Sequence, residues 1–222
     1  MTERAARTPF HFFGCWELPE MLGRRAYDER ELLEHLEDVP LDSIYFHTHS
    51  CFLHEGSVPG GYPNDFATWA AIQVRDRVLG EKLGIVDPQD FSDLETLRAE
   101  VVSLIDDHLA ETRSVPRVMF GQPFYFMQSR VLEIQTGVKV RTLAEFRDAL
   151  AQVDTAVVYL HVVEARGRKG RRRNDFAAWI DEQLGLPELA AAVARLNPFP
   201  FGLEEVRRRL IALADAALAR TP

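Results

Sequence analysis

Four potential metal ligands lie close together in the first half of the chain: His47, His49, Cys51 and His54. In an extended segment, side chains two residues apart lie on the same side, so the first three would face one way. Imidazole nitrogen and thiolate sulfur are both good zinc ligands, and a carboxylate is a third kind. The spacing predicts a zinc site that His54 or Glu55 completes. The alternative is one scaffold histidine beside a partly exposed loop.

A run of basic residues is the second candidate. Residues 166–173 carry six positive charges, although the whole chain has a formal net charge of -8. Arginine contacts phosphates with two parallel hydrogen bonds, so the run predicts a docking site for an anion. The alternative is a solvated loop. No aromatic residue interrupts the run, so base stacking is not supported. The candidate binding residues are Arg166, Arg168, Lys169, Arg171, Arg172 and Arg173.

Both candidates follow a segment that occurs twice. The Tyr-x-His pair at 45–47 recurs at 159–161, and the Asn-Asp-Phe-x-x-Trp segment at 64–69 recurs at 174–179. Self-similarity at a fixed spacing is the signature of repeated units. We therefore predict an internal duplication. The predicted halves are residues 1–116 and 117–222, either as separate domains or within one compact domain.

The elements that position these residues mix strands and helices. The apolar runs at 43–49 and 157–161 predict strands. Asp28 is a typical N-cap of a helix, and either Asn64 or Asp65 can cap the helix that starts near Phe66. We predict a β-β-α-β-α-α unit in each half, with a hairpin at its start. The fold class is α+β, with two tandem copies related by a pseudo-two-fold axis.

The residues that both halves share are predicted to be structural. On a strand, the tyrosine and histidine would share a face, and on a helix the phenylalanine and tryptophan would share another. The shared histidine would donate to a backbone carbonyl or to the capping carboxylate. Function is then expected where the halves differ, in the segments 49–63 and 164–173.

Composition narrows the class of protein. The chain is 46% hydrophobic and 27% charged, which is ordinary for a soluble globular protein. Its acidic balance argues against general nucleic-acid binding, and no apolar run is long enough for a membrane helix. Cys15 and Cys51 do not form a Cys-x-x-Cys pair and predict reduced thiols in the cytoplasm. No nucleophile elbow or phosphate-binding loop is present.

The repeated motifs carry a resemblance to a known family. The Pro-Phe-x-Phe starts at 9–12 and 123–126, taken with the two segments above, resemble an uncharacterised bacterial and archaeal family, domain of unknown function 5752. The resemblance covers nearly the whole chain and implies the architecture, but no activity. Residues 47–50 also resemble the first metal motif of the polymerase-and-histidinol-phosphatase hydrolases. That second resemblance covers only four residues, and the remaining histidines supply no second His-x-His pair.

We therefore predict a cytoplasmic binding or regulatory module without catalytic activity. Its partner would be an unidentified protein or an anionic small molecule, contacted through 49–63 and 164–173. We expect no membrane and no nucleic acid as partner. No cofactor is predicted, except zinc in the alternative of a metal-dependent hydrolase that uses His47, His49, Cys51 and His54. An adaptor for RNA or an acidic partner is a third hypothesis.

Overall fold

The structure is a computed structural model that describes residues 5–54, 62–119, 121–167 and 173–220. The chain has an α+β fold with two compact units. The central unit, named for its place in the sequence, is Glu17–Arg130, and the terminal unit combines Met1–Trp16 with Val131–Pro222. These limits differ from the predicted halves. Each unit contains the Phe-x-Phe strand start that belongs, by sequence, to the other half.

Two long strands form a two-stranded sheet, β1 (Phe10–Ala26) and β2 (Phe124–Val140). In the terminal unit they run in opposite directions, because Ala6 contacts Arg141 and Phe12 contacts Thr136. Each strand is continuous, so the predicted hairpins are wrong. Proline is tolerated within β1 because a two-stranded sheet consists only of edge strands.

Within the described residues, five helices build the central unit. They begin after well-formed caps: Asp28 accepts a hydrogen bond from the Glu31 N–H at 3.0 Å, and Asp93 accepts one from Thr96 at 2.8 Å. The cap at Asp28 confirms the predicted start of the first helix. The helices are α1 (Glu29–Asp38), α2 (Leu41–Thr48), α3 (Asp65–Trp69), α4 (Arg77–Gly84) and α5 (Leu94–Glu111). A 3-10 turn covers Ser50–Leu53, another covers Pro88–Asp90, and a π-helical turn covers Ala70–Val74.

The strand predicted at 43–49 is wrong, because this segment forms α2 and its end. Every residue from Ser43 to His49 is buried. A fully buried apolar run has no alternation of exposed and buried positions, so periodicity cannot separate a strand from a helix. The equivalent segment at 157–161 is also helical, although its valines favour strands. Tertiary burial decides the structure in both places.

The part of the terminal unit that the structure describes contains six helices. Thr142 and Glu145 form a capping box at the start of the first one. The helices are α6 (Leu143–Leu150), α7 (Thr155–Val158), α8 (Ala165–Gly167), α9 (Asp175–Trp179), α10 (Pro187–Ala194) and α11 (Leu203–Leu218), with π-helical turns at Tyr159–Glu164 and Ile180–Leu184. None of the helices in the described ranges is long and apolar enough to cross a membrane.

Aromatic side chains join the strand starts to the helices. In the central unit the ring of Phe124 lies 4.6 Å from that of His47 and 5.2 Å from that of Phe66. In the terminal unit Phe10 lies 4.9 Å from His161 and 5.3 Å from Phe176. This apolar packing excludes water from one side of each histidine and fixes its orientation.

Candidate functional site

His47 is held at both ring nitrogens in the central unit. The Met127 N–H donates to His47 Nε2 at 3.0 Å, so the neutral ring carries its proton on Nδ1. Nδ1 then donates to Asp65 Oδ2 at 2.8 Å. Burial lowers the pKa of His47, which keeps the ring neutral. The expected bond between the shared histidine and the carboxylate at the helix start is confirmed here.

The terminal unit contains the same arrangement. The Phe13 N–H donates to His161 Nε2 at 3.0 Å, and His161 Nδ1 lies 3.0 Å from Asp175 Oδ2. A contact that occurs in both units, with both nitrogens engaged in the same way, holds a helix to a strand. We assign these histidines to the scaffold.

Two further contacts are also made in both units. Asn64 accepts from the Ala67 N–H at 2.8 Å and donates to the Leu83 carbonyl at 2.9 Å. Asn174 makes the equivalent bonds, at 2.8 and 3.1 Å. Each asparagine therefore caps one helix and ties it to the end of the next. Trp69 Nε1 and Trp179 Nε1 each donate to a strand-side carbonyl at 3.0 Å.

Only the central unit, among the described residues, adds a charged network to this scaffold. His54 lies between two carboxylates, with Nε2 3.5 Å from Glu17 and Nδ1 3.6 Å from Asp65. Nε2 lacks hydrogen-bond geometry toward Glu17, so this contact is an ion pair. Ser129 donates to the same glutamate at 2.6 Å. The position equivalent to Ser129 by sequence is Cys15, whose thiol donates to a backbone carbonyl instead.

The charges in this network follow from its geometry. Burial disfavours the charged form of His54, but the ion pairs with Asp65 and Glu17 outweigh it and raise the pKa of His54 to about 9. Burial likewise opposes ionisation of Asp65, but His47 and His54 lower its pKa to about 2. The network is therefore a protonated imidazole between two ionised carboxylates near neutral pH.

The other residues of the predicted zinc site have different neighbours. His49 stacks on Tyr45 with ring centroids 4.5 Å apart, and its Nδ1 lies 2.9 Å from Thr48 Oγ1. The Cys51 thiol donates to the carbonyls of Thr48 and Pro63, and burial raises its pKa far above the ordinary range. Residues two apart on a helix point roughly 200° away from each other, so the extended geometry behind the prediction is not present. Zinc binding by these four residues stays a prediction.

The basic run is only partly within the described residues. The Arg166 guanidinium is half-buried and donates to the Ala194 carbonyl, and burial lowers its pKa. Arg173 is exposed and pairs with Asp181 at 2.6 Å. The other candidate binding residues, Arg168, Lys169, Arg171 and Arg172, lie outside the described residues.

A third cluster was not found from the sequence. Glu29, Asp76 and His108 lie together in the central unit, each on a different element. No local motif joins them. The signal that could have found them is the comparison of the two halves, since the equivalent positions are apolar: Leu143, Leu186 and Ala217.

Comparison with known proteins identifies relatives of the whole chain. The chain is similar over 97% of its length to OrfY from Thermoproteus tenax, with a TM-score of 0.80, 27% sequence identity and 98% of that chain covered. The name of that protein states no activity. Curated proteins give no significant match. The model of the family of unknown function DUF5752 matches residues 7–215, and the chain belongs to this family.

Proposed function

We propose that the chain is an internally duplicated binding module, in which the shared contacts are scaffold and the segments 49–63 and 164–173 contact the partner. One observation supports this division best. The histidine–carboxylate bond and the asparagine bonds are made in both units at nearly equal distances. The segments 49–63 and 164–173 have different sequences, so each half would present different side chains to a partner while sharing the same scaffold contacts.

The chemistry of the first segment favours binding over proton transfer. A general base near neutral pH needs an unprotonated nitrogen. His54 is protonated there and lies between two carboxylates, and the Cys51 thiol is buried and protonated. The charged network of His54, Glu17 and Asp65 is suited to recognising charge on a partner.

The second segment is suited to an anionic partner, which we take to be a phosphate-bearing small molecule. Arg166 anchors the start of the segment through the carbonyl of the last residue of α10. Arg173 forms an exposed ion pair with Asp181, and pairs of this kind contribute about 1 kcal/mol or less. An incoming phosphate can therefore replace Asp181 as the partner of Arg173 at a small cost in free energy. Arg171 and Arg172, which precede Arg173 in the sequence, add electrostatic attraction.

Titration calorimetry with inorganic tripolyphosphate tests this proposal. We expect binding that weakens as salt is added. The double variant Arg171→Gln/Arg172→Gln is expected to lose affinity by more than about tenfold, because each charge-assisted bond contributes more than a neutral one.

The matched control is Arg208→Gln/Arg209→Gln on α11. It removes the same charge from arginines that pair with Glu205. Equal losses in the two double variants would show a general charge effect and would refute recognition by the segment. The absence of binding to the unmodified protein would refute the anionic partner.

A further inference from the structure

Glu29 is a buried carboxylate with no hydrogen-bond partner among the described residues. It is the first residue of α1 and is 0% exposed, and both of its side-chain oxygens lack a hydrogen bond. Burying an ionised carboxylate without compensation is strongly unfavourable. Some feature of the functional protein therefore compensates for this group.

The side chains around Glu29 are metal-ligand types. His108 Nε2, from α5, lies 3.9 Å from Glu29 Oε2 and 2.9 Å from Asp76 Oδ2. The three ligand atoms all lie within 4.8 Å of one another. The second oxygen of Asp76 accepts from the Leu79 N–H at 2.9 Å, so capping of α4 fixes the orientation of this carboxylate.

The fold itself does not require this polar cluster. Glu29 is the first residue of α1, and the first residue of α6 is Leu143. Asp76 is the N-cap of α4, and the N-cap of α10 is Leu186. The position equivalent to His108 is Ala217. The terminal unit builds the same helices with apolar residues, so the central unit carries the cluster for another reason.

We propose that Glu29, Asp76 and His108 bind a zinc ion that joins α1, α4 and α5 of the central unit. One imidazole nitrogen and two carboxylates form a zinc-type ligand set, whereas magnesium prefers oxygen ligands and several waters. Zinc–ligand bonds near 2.1 Å place tetrahedral ligands about 3.4 Å apart. The observed separations of 2.9 and 3.9 Å lie on either side of that value.

The charges also fit a dication. The cluster contains two carboxylates, Glu29 and Asp76, and Asp28 adds a third negative charge nearby. A doubly charged ion would balance the two carboxylates of the cluster and would take the place of the proton that His108 shares with Asp76. Zinc would then supply the compensation that Glu29 lacks.

Zinc content and thermal unfolding of the full chain test the proposal. The protein is made without a histidine tag, reconstituted with zinc and dialysed. We expect near one equivalent of zinc and a melting temperature that falls when a chelator is added. The triple variant Glu29→Leu/Asp76→Leu/His108→Ala copies the terminal unit, and it should hold almost no zinc and show no response to chelator. Glu29→Gln, which keeps the shape, should also lose most of the metal.

The control variant His49→Ala/Cys51→Ala separates this site from the zinc site predicted in the first segment. We expect it to keep its equivalent of zinc. Loss of zinc in this control with retention in the triple variant would overturn the proposal in favour of the first segment. The proposal would also be overturned if the reconstituted unmodified protein held no zinc. Retention of zinc in both the triple variant and the control variant would overturn it as well.

Discussion

Replacement of His54 by glutamine is expected to change the dependence of stability on pH. The pKa of His54 is raised from an ordinary 6.5 to about 9, so protonation stabilises the folded state. This stabilisation is fully present below pH 6.5 and is lost as the pH rises through 9. Glutamine keeps a polar side chain of similar length but carries no charge. The variant should therefore lack the stabilisation at low pH and match the unmodified protein at high pH.

The size of the effect follows from the pKa and the exposure of His54. The full shift corresponds to at most about 3 kcal/mol. The side chain is 26% exposed and its ion pairs measure 3.5 and 3.6 Å, so solvent screens part of the attraction. We expect a loss of about 2 kcal/mol near pH 6 that approaches zero near pH 10.

Urea unfolding, followed by tryptophan fluorescence at a series of pH values, measures this difference. Asp65 stays ionised throughout the range, because its pKa is lowered to about 2. The titration of Glu29 is common to both proteins and cancels in the difference. His11→Gln, which removes an exposed histidine outside the network, is the matched control. A loss in His54→Gln that is the same at every pH would show a packing effect and would refute the charge network.

Three further predictions concern a strained backbone position, two helix caps and a buried thiol. Arg75 has a φ of 69°, a conformation that favours glycine, and Gly185 occupies the equivalent place with a φ of 63°. Arg75→Gly should therefore raise the free energy of unfolding in urea by about 1 kcal/mol. A lower free energy of unfolding in this variant would contradict the prediction. Asn64→Ala and Asn174→Ala should each lower the free energy of unfolding by about 2 kcal/mol, because each removes a helix cap and a buried hydrogen bond. A loss of stability in only one of the two variants would show that the two asparagines differ in role. The buried Cys51 thiol, whose pKa is raised, should react with Ellman's reagent only after unfolding, and rapid labelling of the native protein would refute its burial.

Local sequence signals predicted much of the helical structure. Asp28 and Asn64 cap helices as expected, because a cap depends on a few adjacent residues. The bond between His47 and Asp65 was also predictable, since both residues recur together in the other half. The α+β class followed from the mixture of patterns.

Features that depend on contacts between residues distant in the sequence could not be predicted. The run at 43–49 forms a helix because packing on all sides decides its structure, and its own pattern carries no period. Each unit contains the Phe-x-Phe strand start of the other half of the sequence. This arrangement depends on the pairing of β1 with β2, which no local sequence pattern encodes. Glu29 and His108 are brought together only by the packing of α1 against α5.

Hydrogen exchange with and without tripolyphosphate tests the central claim most directly, namely that the shared contacts are scaffold and the divergent segments contact the partner. We predict slower exchange in peptides that cover 164–173, with no change in those that cover His161 and Asp175. The charge-matched variant at Arg208 and Arg209 should give the same pattern, and the variant at Arg171 and Arg172 should give none. Slower exchange centred on the His161–Asp175 pair, with 164–173 unchanged, would contradict the account.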